Sequence, residues 1–175
     1  ENHNNIAGGW AHSLALMPDG TVVAWGENQN YQYGQTDVPD GLTDVIAIAA
    51  GLYHSLALTA SGDVVAWGYN IDGQTDVPDG LTDVIAISGG QFHNLALTAS
   101  GDVVAWGRNS YGETDVPDGL TDVIAIAAGG NHSLVLTGSG DVIAWGRNND
   151  GQTTIPDGLT DVIAIAAGGE NTSRS

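Results

Sequence analysis

Apolar positions along the chain fall into short clusters of five or six residues, each bounded by glycine-containing punctuation. Between residues 45 and 67 the clusters are a continuous run, Val45 to Ala50, an alternating segment, His54 to Thr59, and a β-branched and aromatic segment ending at Trp67. Each has the length of a strand and is too short for a helix. Ala60-Ser61-Gly62-Asp63 predicts a tight hairpin with glycine at a positive φ. After Trp67, a stretch with three glycines and a proline predicts an irregular return to the next unit.

The same three clusters recur at a fixed period of 39 residues. Residues 84–122 differ from residues 45–83 at only nine positions, and residues 123–161 follow the same template. His54, His93 and His132 mark the phase, as do Trp67, Trp106 and Trp145. The units are therefore 1–44, 45–83, 84–122 and 123–161, followed by a surplus strand and tail at 162–175. The first unit carries three extra residues after Trp25.

A three-stranded sheet of this size cannot bury both faces alone, and its first strand is apolar on both sides. It has to lie between neighbours. Small residues on that strand (Ala47, Ala49, Ala50, Gly51) suit a crowded axis, whereas Trp67 can fill the wider gap further out. Sheets packed radially in this way are the blades of a β-propeller. The expected fold is all-β, with short antiparallel blades of three to four strands and four repeats forming one propeller domain or half of one. A linear solenoid usually has shorter coils that do not fold back as meanders.

The pattern GxxHSLALTxxGDVVAWGxNxxGQ, present from Gly51 to Gln74 and again from Gly90 and Gly129, resembles the repeat of the regulator of chromosome condensation family. The short unit, with QTDVP in place of a full fourth strand, is similar to the propeller-type β-lactamase inhibitory proteins. That resemblance implies three-stranded blades in a sevenfold ring, whereas this chain carries four units. Guanine-nucleotide exchange is not implied, because the inserted wedge is missing and the surface is acidic. Enzyme inhibition is a minor reading that would rest on loop aromatics.

Charge narrows the partners. Three Lys plus Arg against 21 Asp plus Glu give a formal charge of −18, and no lysine occurs. Nucleic acid and anionic membranes are gripped by clustered cations that this chain lacks. No apolar run approaches the ~20 residues that span a bilayer. The absence of cysteine excludes disulfides and thiolate metal sites.

Candidate chemistry is sparse. His12, His54, His93 and His132 recur identically at the start of each second strand, which reads as a structural device whose ring nitrogens satisfy backbone groups. With Trp25, Trp67, Trp106 and Trp145 they make up the expected structural core. The aspartates of PDGLTD read as turn formers. Oxygen-rich loops such as Asn70-Ile71-Asp72-Gly73 raise calcium as a minor alternative, without the spacing of a known calcium loop. No nucleophile elbow, phosphate loop or HExxH helix is present, so neither an enzyme nor a cofactor is expected.

The positions at which the copies disagree cluster in two loops, after the first and third strands. A meander puts both at one edge, opposite the SGD turns. Trp10, Tyr31, Tyr33, Tyr53, Tyr69, Phe92 and Tyr111 all lie there, with Arg108 and Arg147. This composition predicts a surface that binds a protein or a glycan. The alternative is a self-assembling structural protein, because residues 162–167, opening with Val162 and ending with Ala167, form a better first strand than residues 3–9. They are expected to complete the first unit's sheet, with a second copy favoured as the owner of that sheet. An extracellular or cell-surface location is expected over a cytoplasmic one, although the cysteine-free composition itself leaves the redox compartment open. Sequons at Asn131 and Asn171 would matter only in a glycosylating cell.

Overall fold

A computed structural model describes residues 5–27 and 33–169. Among these residues there is no helix. The strands are β1 (Ile6–Gly8), β2 (His12–Leu16) and β3 (Val22–Gly26), then β4 (Val45–Ala50), β5 (His54–Thr59) and β6 (Val64–Gly68). They continue with β7 (Val84–Gly89), β8 (His93–Thr98), β9 (Val103–Gly107), β10 (Val123–Ala128), β11 (His132–Thr137) and β12 (Val142–Gly146). Each unit makes one antiparallel three-stranded meander, in the orders β1-β2-β3, β4-β5-β6, β7-β8-β9 and β10-β11-β12. No fourth strand forms, because Asn70 holds the return loop in a turn. Its side chain accepts from Thr75 N at 2.9 Å and donates to Asp76 at 2.7 Å.

The hairpin at residues 59–63 shows how the sequence sets the local geometry. Gly62 adopts φ +85°, which lets its N–H reach Thr59 O at 3.0 Å. Ser61 Oγ donates to Asp63 at 2.7 Å, and Thr59 N reaches Asp63 O at 3.0 Å. Between β4 and β5 the register shifts after Val45, so Ile46 is skipped by the ladder and turned outward, as are Ile85 and Ile124.

Consecutive sheets stack face to face, and each interface is a separate apolar cluster. Between the second and third sheets, Leu56 and Leu58 meet Ala96 and Trp106, with Val77 and Leu81 of the return loop packed beside them. Equivalent clusters join the first sheet to the second and the third to the fourth. The role of the DVPDGL segment is therefore to wedge two side chains into the wide outer part of each gap.

Residues 3–9 were expected to open the first unit poorly, with residues 162–167, a second copy's by preference, completing its sheet. Within the chain Ile6–Gly8 pairs with β2 at three positions, because a backbone ladder needs no apolar side chains. One expectation about the first unit needs correcting. Trp25 was expected in the core and is 50% exposed, whereas Trp67 is 7% exposed. Its indole faces away from the second sheet, and among the described residues no sheet covers that side.

Candidate functional site

The recurrent histidines are built into the interfaces between units. His54 Nε2 lies 2.6 Å from Asn94 Oδ1 of the next unit, and Asn94 Nδ2 donates to Gln74 O at 2.8 Å. Trp106 Nε1 donates to the same carbonyl at 3.1 Å. His12 reaches Ser55 at 3.1 Å and His93 reaches Ser133 at 3.0 Å, and these hydroxyls donate to Gln35 O and Glu113 O, both at 2.8 Å. Each serine has one proton and gives it to the carbonyl, so the imidazole must donate through Nε2. The rings are therefore donors that tie one unit to the next. Trp67 and Trp145 complete the same arrangement through Gln35 O and Glu113 O.

Burial pushes His54 down to about 4, against the opposing Asn94 hydrogen bond, with the charge of His12 adding to the lowering. His93 is also pushed down to about 4, first by burial and then by its neighbours His54 and His132. His12 is lowered by burial too. His132 is buried as well. The glycine three residues before each of these rings is required, because a Cβ at Gly51 or Gly90 would sit inside the imidazole of His54 or His93. The sequence suggested backbone partners for these rings, and it missed Ser55, Asn94 and Ser133. The polar residue that follows each histidine on an otherwise apolar strand was the signal that could have found them.

The loop aromatics come together. Trp10, 62% exposed, meets Tyr53 edge-on with centroids 5.5 Å apart. Tyr33 lies 5.2 Å from Tyr53 and 4.5 Å from Tyr69, and Phe92 lies 6.5 Å from Tyr53 and 6.1 Å from Tyr69. Five rings from three units thus form one patch. Arg108 stacks on Phe92 at 5.4 Å and donates to Ser110 at 2.9 Å. Tyr111 stands outside the patch, under Arg147 at 5.5 Å, and Arg147 pairs with Asp150 at 3.3 Å. Tyr31 lies outside the described residues.

The inner border of the patch is a groove of about 210 Å³, walled by Gly9, Gly51, Gly90, Gly129, Leu52 and Gln91, with Trp10 at its rim. Its wall is tied together by Trp10 N to Leu52 O, Leu52 N to Gln91 O and Gln91 N to Gly129 O, at 3.3, 3.2 and 3.1 Å. Among the described residues, no group of three or more His, Asp or Glu side chains is placed to hold a metal ion. In the Asn70 loop, the asparagine side chain is engaged in bracing the turn. Asn131 is buried and Ser133 fully so, which closes that sequon to modification, and Asn171 lies outside the described residues.

The profile of the regulator of chromosome condensation (RCC1) repeat matches residues 4–32, 45–74, 84–113 and 123–152. Among solved structures, Prp20p of Saccharomyces cerevisiae, described with its binding properties to Gsp1p and histones, superposes with a TM-score of 0.76 at 23% identity. The match covers 94% of this chain and 53% of that one. Yeast RCC1 (Prp20) bound to Kap60 gives 0.71 at 25% identity, over 90% and 47% of the two chains. Human WBSCR16 gives 0.66 at 28% identity, over 81% and 46%. This chain spans about half the length of each. No curated protein matches it.

Proposed function

The chain belongs to the regulator of chromosome condensation repeat family, and on that premise we propose that it is a non-catalytic scaffold that binds a partner protein through its loop aromatics. The observation that carries this reading is the patch of Trp10, Tyr33, Tyr53, Tyr69 and Phe92, capped by Arg108. Aromatic and arginine side chains are the types enriched where binding energy concentrates. They stand on loops held by a rigid stack, so little ordering is left to be done on binding. The hairpins at the other edge, which vary little apart from Pro18-Asp19-Gly20 in the first unit, lack this composition. Protein binding by Prp20p, which shares the fold, is consistent with the proposal.

The test compares the immobilised chain with its Tyr53→Ala and Phe92→Ala variants and with a Ser61→Ala hairpin variant. Proteins from an extract of the source organism and an array of glycans are offered to all of them. Proteins retained by the parent and the hairpin variant, and weakened by about 1–2 kcal/mol in each aromatic variant, support the reading. Retention that is indifferent to the aromatic changes, or binding to glycans alone, contradicts it.

A further inference from the structure

The hairpin edge, opposite the loop aromatics, carries apolar grooves bordered by uncompensated charge. The bulge at the start of β4, β7 and β10 turns one isoleucine of each unit out of the ladder, and Ile46, Ile85 and Ile124 are 37%, 58% and 57% exposed. None of the three packs in a core cluster, so the fold itself gains little from an aliphatic side chain there. At the junction of the second and third units, Ile46 and Ile85 line a groove of about 310 Å³ with Ala60, Ala99 and Asp83. A second groove, of about 390 Å³, shares Asp83 with it and is lined also by Asp79, Asp102, Ser100 and Leu81. Thr82 donates to Asp83 and Ser100 to Asp102, which orders these carboxylates without neutralising them. Among the described residues the cations are Arg108 and Arg147, and both stand at the loop edge, one over Phe92 and one paired with Asp150.

We propose that this edge docks a segment of a partner protein in which a lysine or arginine stands beside an aliphatic side chain. The aliphatic group fills the groove of Ile46 and Ile85, and the cation enters the groove of Asp79, Asp83 and Asp102. Charge complementarity selects this occupant. An edge of exposed carboxylates in a chain of net charge −18 draws in a cationic segment and repels an anionic one. A metal ion does not fit, because among the described residues no three acidic side chains converge on one point. Lysine and arginine satisfy both grooves at once, since their stems lie along apolar surface while the charged head reaches a carboxylate. The next junction repeats the same residue types as Ile85, Ile124, Asp118, Asp122 and Asp141, so a segment spanning two junctions is held twice, and the second hold is intramolecular.

The probe is a labelled synthetic peptide repeating Leu-Lys-Ala-Lys, compared with one of equal charge repeating Ser-Lys-Ala-Lys, both titrated onto the purified chain at low ionic strength. The leucine peptide is expected to bind about fivefold more tightly. Ile85→Ser should remove most of that preference. Asp83→Asn combined with Asp102→Asn should weaken both peptides, and asparagine tolerates the positive φ of Asp83, so the fold is kept. Tyr53→Ala should change neither. Because the chain has no lysine, carbodiimide coupling joins the peptide's amines to the chain's carboxylates, and the linked residues are expected to be Asp79, Asp83 and Asp102 rather than Asp72 or Asp150. No binding, equal affinity for the two peptides, indifference to Ile85→Ser, or linkage at Asp72 or Asp150 overturns the proposal. Its failure leaves the loop-face reading untouched, because Tyr53 and Phe92 take no part in this contact.

Discussion

The first sheet and the second carry the same strand, Val-Val-Ala-Trp-Gly, in β3 and β6, and the two copies fare differently. In β6 the tryptophan is buried against Leu14 and Val22 of the preceding sheet, and its indole N–H reaches Gln35 O at 3.1 Å. In β3 the same side chain stands half in solvent. Nothing within the five residues distinguishes them. The difference is the neighbour, and it shows that in a stacked repeat the core belongs to the interface between units rather than to the unit. The histidine ties follow the same logic, since His12, His54 and His93 each donate to the unit after their own.

The comparison can be broken at its strongest point first. Trp106→Ala should cost about 3–5 kcal/mol, because it empties the cluster shared by the second and third sheets. Denaturant unfolding measures it. An unchanged midpoint would mean that the gap between sheets is not the core.

Acid should act next, through the ties. His54 and His93 titrate near 4 in the folded chain and near 6.5 when unfolded. The unfolded state therefore binds more protons over that interval, and stability, full above about pH 6.5, falls as pH drops towards 4. The expected loss is on the order of a few kcal/mol. Replacing His54 by Gln should flatten the pH dependence of the unfolding midpoint, and a slope equal to that of the parent would contradict the buried-tie assignment.

A smaller effect concerns the third unit alone. Glu113 stands where the other units have Gln35, Gln74 and Gln152. It is fully buried, with Oε2 accepting from Tyr111 N and Oε1 without a partner. Glu113→Gln should stabilise the chain by about 1 kcal/mol, read as a higher denaturant midpoint, because an amide buried with one atom unpartnered, as Gln74 is at Nε2, costs less than a carboxylate buried with an unpartnered oxygen. A lower midpoint would show that the carboxylate is needed there.

Much of this architecture was legible in the sequence for a physical reason. A near-verbatim period repeats every local preference, so the strand lengths, the Gly62 turn and the placement of both variable loops at one edge follow from a single unit read four times. What a period cannot show is which copy lacks a neighbour, and Trp25 was misplaced on that account. It also hides contacts that skip from one unit to the next. Ser55 and Asn94 are different residues, yet each accepts from a histidine and donates to a carbonyl, and that equivalence appears only when the units are stacked. Convergence of Tyr33 with Tyr69 depends on an irregular loop, for which pattern supplies no register.

The smallest expected effect gives the most direct test. Trp25→Ala should cost about 1 kcal/mol or less, since half of the side chain is already in water. Set beside Trp106→Ala in the same denaturant titration, the account predicts a difference of at least ~2 kcal/mol between two identical substitutions in identical strands. Equal losses at the two positions would contradict the claim that the neighbouring sheet, and not the unit's own sequence, decides what each tryptophan contributes.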